Sequence, residues 1–212
     1  MSRVSPGRAN TAGDAISSPG LDQDAYPCKL LHQALQPLMK GERRVLLDLG
    51  DAHGQTIEYF TGLPVRLAIA SLTDDLLKLD PREDEETLQA HMESLLTPEM
   101  VSACDLVMVW EVLNYLQPRV ITALMSRLAQ LLPAGAQVHG FVAYSMKTLP
   151  QTPRVLVPSA DAGLQILAGQ GHGTVQLSGY PSGELQRFMP DFHAARAILL
   201  GDGMQEYLFV RR

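Results

Sequence analysis

The stretch RVLLDLGDAHGQT, residues 44–56, contains the features that decide the fold. Its first half is a short, continuously apolar run of the kind that forms a buried strand. Small residues follow at Gly50, Ala52 and Gly54, where a ligand can approach the backbone closely. A helix is predicted from Gln55 to Phe60. A strand, a tight turn and a helix in this order predict one unit of an α/β protein.

The same alternation of strands and helices continues on both sides of this stretch. Apolar periodicity predicts further helices at 30–39, 120–132 and 183–189, strands at 65–70, 105–110, 138–144, 194–200 and 206–210, and a weak additional strand at 88–92. This pattern predicts a three-layer α/β domain with a mainly parallel sheet. Ligands of such sheets bind beyond the carboxyl ends of the strands. The loops at that edge are predicted at 50–55, 71–75, 111–115 and from Tyr144 onward.

Two segments depart from this pattern. Residues 1–24 are rich in Ser, Pro, Gly and Ala, and we expect a disordered leader that precedes a single domain at 25–212. Prolines and glycines interrupt residues 145–180, which predicts an irregular insertion. We expect this insertion to cover an acceptor site or to form a partner surface, with a β-hairpin that has no such role as the alternative.

Composition narrows the class of protein. The chain has 212 residues, of which 46% are hydrophobic and 19% charged, as in an ordinary soluble globule. The net charge of -6 resides entirely in the acidic stretch 74–93, so no basic surface is predicted for nucleic acid. The sequence contains no secretory signal and no apolar run long enough to cross a membrane. With only Cys28 and Cys104, it fits the reducing cytoplasm.

The turn after the first strand resembles a known motif. Asp48-x-Gly50-x-Ala52-x-Gly54 resembles the first motif of the class I S-adenosylmethionine-dependent methyltransferases, Asp-x-Gly-x-Gly-x-Gly, with Ala52 in place of the middle glycine. The spacing does not match the Gly-x-Gly-x-x-Gly fingerprint of dinucleotide-binding proteins.

Three further segments resemble the same superfamily. Residues 105–116 resemble its fourth strand and the following loop, and residues 131–136 resemble the turn before its fifth strand. The closing hairpin resembles its sixth and seventh strands. The resemblance spans roughly 43–145 and 183–212. It implies a Rossmann-like, seven-stranded sheet in the order 3-2-1-4-5-7-6, with only the seventh strand antiparallel.

The resemblance also implies S-adenosyl-L-methionine as cofactor, and it identifies candidate ligands for it. The residues implied to line the cofactor cleft are Asp48, Gly50, Ala52, Gly54, Ser71, Glu93, Trp110 and Glu111. Structural roles remain open: Asp48 could cap the turn, Glu93 could be a solvated helix residue, and Trp110 and Glu111 could serve packing alone.

The substrate side is less defined, and two residues depart from the pattern. Asn114 and Tyr115, which follow the strand predicted at 105–110, and Tyr144, which ends the strand predicted at 138–144, are candidates for binding the acceptor. No catalytic residue is identified, and no His, Cys or Asp cluster has the spacing of a metal site. Ser71 stands where the superfamily places an acidic residue for the ribose. Asp51 brings a carboxylate to the loop that meets the methionine end.

Two functions are therefore consistent with the sequence. The first is an S-adenosylmethionine-dependent methyltransferase that acts on a small molecule or a protein side chain. The alternative is a methyltransferase-like protein that has lost catalysis and acts as a binding or scaffold partner, because Ser71 and Asp51 weaken the cofactor motif. The expected partner is a small molecule or a protein, with homo-oligomerisation left open. Cofactor binding distinguishes the two functions.

Overall fold

The computed structural model describes residues 25–159, 163–167, 173–177, 180 and 182–212. The leader predicted at 1–24 lies outside these residues. The strands are β1 (Tyr26–Pro27), β2 (Arg44–Asp48), β3 (Val65–Ile69), β4 (Leu106–Trp110), β5 (Gln137–Ala143), β6 (Thr148–Pro150), β7 (Val155–Pro158), β8 (Gly163–Leu167), β9 (Thr174–Gln176), β10 (Phe192–Leu199) and β11 (Met204–Arg211). The helices are α1 (Lys29–Met39), α2 (Gly54–Phe60), α3 (Thr73–Lys78), α4 (Glu85–Leu95), α5 (Pro98–Val101), α6 (Pro118–Leu131) and α7 (Ser182–Phe188), with a 3-10 turn at Val112–Asn114.

The central sheet has six strands in the order β10-β11-β5-β4-β2-β3. Strands β3, β2, β4 and β5 pair in parallel, and β11 pairs antiparallel with both β5 and β10. This is the order that the resemblance implies, without its third strand. The α/β class, the mainly parallel sheet and the antiparallel closing hairpin are confirmed, whereas a seven-stranded sheet is not found among the described residues.

Helices cover both faces of this sheet because its strands are apolar on both sides. In β2 and β4, Leu47 and Val107 pack on the face covered by α3 to α7, and their neighbours Leu46 and Leu106 pack on the face covered by α1 and α2. This alternation follows from the two-residue period of a strand. The result is a three-layer domain with two apolar cores, as the sequence predicts.

The additional strand predicted at 88–92 is wrong, because these residues lie in α4. Asp84 begins this helix, and its carboxylate accepts a hydrogen bond from the backbone N–H of Thr87 at 2.8 Å. Leu88 and Met92, four residues apart, are both buried, which is the spacing of one helix face. Helix capping and period therefore override the short apolar run. Within the described part of the chain, no helix combines the length and the apolar character that crossing a bilayer would require.

The described part of the insertion is also more regular than predicted. Strand β7 pairs antiparallel with β8, β8 pairs with β1, and β6 pairs with β9. Pro150 and Pro158 lie at the last positions of β6 and β7, where proline is tolerated because the pairing ends there. Leu149, Leu156 and Leu164 are buried in the core shared with α1. These leucines therefore fix the ends of the insertion to the domain.

Candidate active site

The first strand of the sheet ends in a buried carboxylate. Asp48 Oδ1 accepts hydrogen bonds from the backbone N–H of Gly50 at 2.8 Å and from Trp110 Nε1 at 2.6 Å. The first bond closes the turn after β2, and the second joins the end of β2 to the end of its neighbour β4. Asp48 therefore fixes the turn and the tryptophan at the edge where ligands of parallel sheets bind.

Position 50 requires a glycine because the Trp110 side chain occupies the space that a larger residue would need. A Cβ at Gly50 would lie 3.1 Å from Asp48 Oδ1 and 3.1 Å from the indole Cδ1 and Nε1 of Trp110. Trp110 has a φ of 48°, which is rare for a large side chain. The pairing of β4 with β5 shifts there, and a Cβ on the opposing Gly140 would lie 2.7 Å from Val109 Cγ2. The two glycines thus permit the strained backbone that directs Trp110 over the turn.

A short segment of the insertion covers this edge. We call residues 151–155, between the buried Leu149 and Leu156, the strap. Arg154 of the strap donates from Nε to Glu111 Oε1 at 2.7 Å and from its backbone N–H to Glu111 Oε2 at 3.2 Å. Arg154 Nη2 also donates to Glu111 Oε1. Because the Glu111 side chain is 0% exposed, this is a buried ion pair that holds the strap over the end of β4.

The guanidinium of Arg154 has two further neighbours. Its Cζ lies 4.7 Å from the centre of the Tyr26 ring, and its Nη2 donates to the Tyr26 hydroxyl at 3.3 Å. That hydroxyl donates to Asp202 Oδ2 at 2.8 Å. Burial alone would lower the pKa of Arg154, but the hydrogen bonds and the charge of Glu111 outweigh it and raise the pKa above its ordinary value. The strap therefore carries a permanent positive charge into the site.

The space left under the strap is small. The cavity lined by Asp48, Gly50, Trp110 and the strap residues Pro153 and Arg154 measures about 50 Å³. Sites for small molecules usually measure about 300–1,000 Å³. In this conformation the cleft is too small to accommodate S-adenosylmethionine. The strap fills the place that the resemblance assigns to the cofactor.

Burial of Asp48 makes its charge unfavourable. Desolvation raises the pKa of Asp48 to about 6, and the hydrogen bonds from Trp110 and Gly50 only partly offset this effect. Because the folded-state pKa exceeds the unfolded one, the folded state binds a proton first as pH falls from about 6. The ionised carboxylate thus reduces stability at neutral pH, and acidification toward pH 4 relieves this effect.

We therefore expect Asp48→Asn to stabilise the protein at pH 7 by about 1–3 kcal/mol, the free energy of one to two pKa units. Asparagine retains the oxygen that accepts from Gly50 and Trp110 and carries no charge. Urea unfolding of the variant and the unaltered chain at pH 7 and at pH 4 measures the difference, which should shrink at the lower pH. An equal or lower stability of the variant at both pH values would show that the carboxylate is not unfavourable in its ionised form.

The structure brings together some of the predicted cofactor ligands and separates others. Asp48, Gly50 and Trp110 line one cavity, and the Ser71 backbone N–H donates to the Gly50 carbonyl at 3.2 Å. Ala52 is exposed in the turn, and Gly54 begins α2 with open space around it. Glu93, in contrast, is exposed on α4 and does not line this cavity.

The predicted substrate residues lie on the neighbouring part of this edge. Asn114 and Tyr115 line a second cavity of about 220 Å³, whereas Tyr144 is exposed outside it. The Asn114 amide donates to the carbonyl of Phe141 at 2.8 Å and its Oδ1 accepts from the N–H of Ala143 at 2.7 Å. Asn114 thus clamps the loop after β4 to β5, a structural role that sequence reasoning did not foresee.

Another cavity lies at the opposite end of the sheet. It measures about 350 Å³ and is lined by residues of α1, Arg44, Asp105 and the segment 133–137. None of the residues predicted to bind cofactor or substrate lines it. Because ligands of parallel sheets bind at the carboxyl edge, the residues around Asp48 and Glu111 define the candidate site.

Arg154, Tyr26 and Asp202 were missed by sequence reasoning. One signal was available for Arg154, since it is the only Lys or Arg between Lys147 and Arg187. A single basic residue in so long a segment indicates a specific anionic partner. Nothing in the sequence identified that partner as Glu111, 43 residues away.

Comparisons with known proteins find similarity in fold and none in sequence. No family model matches it, and no curated protein matches its sequence. Among the described residues, no group of three or more His, Cys, Asp or Glu is arranged to hold a metal ion.

Solved structures resemble it more clearly. A Rhodobacter sphaeroides protein, whose assignment to the Zn-dependent alcohol dehydrogenases is itself provisional, is 12% identical with a TM-score of 0.51, over 89% of this chain and 92% of that one. The Burkholderia thailandensis 1,6-didemethyltoxoflavin-N1-methyltransferase, solved with S-adenosylhomocysteine, is 15% identical with a TM-score of 0.46, over 86% of this chain and 77% of that one. A glycopeptide N-methyltransferase solved with S-adenosyl-L-methionine is 11% identical with a TM-score of 0.46, over 91% and 90%.

These similarities concern the fold and not the function. The likeness to the Rhodobacter protein, at 12% identity, shows a shared fold alone. The two methyltransferases are too distant for an inference about function. The chain has an α/β fold with a mixed sheet, whose strand order is the one that the resemblance implies apart from its third strand.

Proposed function

We propose that this chain is an S-adenosylmethionine-dependent methyltransferase whose cofactor cleft is closed by the strap in the conformation described here. One observation supports this proposal most: the Asp48–Gly50 turn lies where the strand order of the sheet reverses, between β2 and β4, and Trp110 is held over it. Open α/β sheets bind ligands at such a point. The acceptor, a small molecule or a protein side chain, belongs to the same proposal.

The buried charge of Asp48 supports the proposal independently. A carboxylate whose pKa is raised to about 6 by burial reduces stability, and groups of this kind cluster at functional sites. Its neighbours Ser71 and Trp110 both have positive φ, 50° and 48°. Strained backbone of this kind costs about 1–3 kcal/mol per residue and is typical of ligand-binding edges.

A second function is favoured by a different observation. The strap leaves a cavity of only about 50 Å³ in the cleft. In addition, Ser71 cannot provide the carboxylate that the superfamily places at the ribose. These features favour the alternative of a methyltransferase-like protein without catalysis that acts as a binding or scaffold partner. Location in the cytoplasm and the absence of nucleic acid as a partner remain predictions under either function.

Titration with S-adenosylhomocysteine distinguishes the two functions. Trp110 is the only tryptophan of the chain and lines the cleft, so its fluorescence reports occupancy directly. We expect saturable binding by calorimetry together with a change in Trp110 emission. Absence of binding both to the unaltered chain and to a variant with a released strap would exclude the methyltransferase and favour the non-catalytic function.

The position of the cofactor is tested by Gly54→Val. Nothing lies within 4 Å of a Cβ at Gly54, so the variant should fold normally. A valine side chain at the start of α2 would project into the space above the turn and should abolish binding of S-adenosylhomocysteine. Calorimetric titration measures the loss. Unchanged affinity would place the cofactor away from this turn.

A matched control exists at the start of α7. Gly183 is also near a helix start, and nothing lies within 4 Å of its Cβ position. Gly183→Val should change the helix propensity in the same way without affecting the cleft. Loss of binding in both variants would indicate a general effect on the fold rather than a site at Gly54.

A further inference from the structure

Three side chains from separate parts of the chain surround the guanidinium of Arg154. We call Tyr26, Glu111 and Asp202 the guanidinium site. Glu111 provides the buried carboxylate, Tyr26 provides an aromatic face 4.7 Å from Cζ, and Asp202 provides a second carboxylate oxygen 4.0 Å from Nη2. Because Glu111 directly follows β4 at the ligand edge of the sheet, its position is fixed by the core rather than by the strap.

The carboxylate of Glu111 depends on the strap for a cation. Among the described residues, its hydrogen bonds and its ion pair are supplied by Arg154 alone. A buried carboxylate without a cation is strongly unfavourable. When the strap moves away, this site must therefore take up water or another positive group.

The geometry of the site selects a guanidinium rather than an ammonium ion. Two nitrogens of Arg154, Nε and Nη2, donate to the same oxygen of Glu111. The face of the cation meets the Tyr26 ring, an arrangement that a planar, weakly hydrated guanidinium satisfies better than a compact ammonium.

A buried ion pair is also poor evidence of a purely structural role. Apolar residues of similar volume usually provide equal or greater stability than such a pair. Here the pair lies beside the Asp48–Trp110 cleft, and its cation comes from a strap whose exposed Gln151 and Thr152 are not part of the core. The part of the site outside the strap is thus complementary to a guanidinium, and the strap supplies one.

We propose that the guanidinium site binds the guanidinium group of an external ligand, and that Arg154 occupies it as an internal substitute. The group belongs to a small guanidino compound or to an arginine side chain of a protein. A last step rests on the proposed methyltransferase function: if that function holds, the acceptor of the methyl group is a guanidinium compound.

The test uses Arg154→Ala and needs no cofactor. Agmatine represents the small-molecule source, N-acetyl-arginine amide represents the peptide source, and N-acetyl-citrulline amide is the neutral control. We expect saturable binding of one or both cations, detected by Trp110 fluorescence. The citrulline compound should bind at least about tenfold more weakly, the minimum effect of a buried charge pair.

A second variant ties this binding to the carboxylate. Adding Glu111→Gln to Arg154→Ala should remove the preference for the cation over citrulline. Equal binding of the charged and neutral compounds, or no binding by a folded Arg154→Ala variant, would overturn the proposal. Because no cofactor is present, this result is independent of the titration that tests the methyltransferase.

Folding failure does not leave the proposal untested. Arg154→Met retains the apolar stem of the side chain and removes the charge, and it serves if Arg154→Ala does not fold. If neither variant folds, the unaltered chain is titrated with the same three compounds. Displacement of Arg154 should then change Trp110 emission with the cations and not with citrulline, and no difference would overturn the proposal.

Discussion

Glu206→Ala is expected to lower the free energy of unfolding by about 3–5 kcal/mol, because it leaves several buried hydrogen-bonding groups without their acceptor at about 1–3 kcal/mol each. Glu206 Oε1 accepts hydrogen bonds from the backbone N–H groups of Leu30 and Leu31 at 2.8 and 2.9 Å. It also contacts His139 Nε2 at 3.0 Å, and both side chains are 0% exposed. Alanine would leave two helix N–H groups and the imidazole without this acceptor.

The effect should be large because Glu206 replaces a missing helix cap. The residue before α1, Cys28, forms no side-chain cap hydrogen bond, and α1 has no acidic residue in its first turn. Glu206 on β11 provides both the acceptor and the negative charge that a helix N-terminus favours. This contact joins α1 to the closing hairpin across the whole sequence.

Urea unfolding followed by Trp110 fluorescence measures the loss of stability. Glu206→Gln is the control, because its amide oxygen still accepts from the helix, and it should lose less, about 1–2 kcal/mol. A loss below about 1 kcal/mol in the alanine variant would show that α1 does not depend on this carboxylate.

The same carboxylate predicts a pH dependence. Burial alone would raise the pKa of Glu206, but the hydrogen bonds from His139, Leu31 and Leu30 outweigh it and hold the pKa below its ordinary value of 4.5. Stability from this group is therefore complete above the unfolded pKa and is lost as pH falls through the lower folded pKa. Glu206→Gln should lack this acid-dependent part, which comparison of the two unfolding profiles between pH 7 and pH 3 tests.

The parts of the fold that the sequence predicted are those with local signals. Continuous apolar runs predicted the strands β2, β4 and β5. Amphipathic spacing predicted the helices α1 and α6. The strand order was implied by a resemblance that rests on short motifs in the same order. The prediction of a strand at 88–92 is wrong, although Asp84 provides a helix cap and Leu88 and Met92 have helical spacing.

The parts that could not be predicted depend on long-range pairing. Strand β1 has two residues and exists only because β8, more than 130 positions later, supplies its partners. The contact of Glu206 with Leu30 joins residues 176 apart, and no local pattern indicates it. In the candidate site, Asp48, Gly50 and Trp110 line one cavity, and their role toward a cofactor stays a prediction; the sequence gave no indication that Arg154 would line the same cavity.

Arg154→Ala is expected to tighten binding of S-adenosylhomocysteine by about a hundredfold or more. In the closed conformation the variant leaves Glu111 buried without its cation, which disfavours that conformation by about 3–5 kcal/mol. In an open conformation water reaches Glu111, so no such penalty applies. Because a ligand of the open cleft binds in proportion to the open population, this shift appears directly in the apparent affinity.

Two controls separate this effect from a general loss of charge. Arg154→Lys keeps the positive charge but loses the paired guanidinium contacts with Glu111, so it should tighten the affinity less than Arg154→Ala does. Arg196→Ala removes an exposed arginine whose Nη1 donates to Gln33 Oε1 at 2.8 Å, away from the cleft. It should leave the affinity for S-adenosylhomocysteine unchanged. Calorimetry provides the dissociation constants, and circular dichroism verifies that each variant is folded.

The outcome decides between the two functions as well as testing the strap. Tighter binding in Arg154→Ala, with a smaller gain in Arg154→Lys and none in Arg196→Ala, means that the cleft retains a cofactor site which the ion pair with Glu111 keeps closed. Equal and measurable binding in all four proteins means that the strap does not compete with the cofactor. No binding in any of them, while Arg154→Ala remains folded, means that opening the cleft is insufficient, and the methyltransferase fold then serves binding or scaffolding without catalysis.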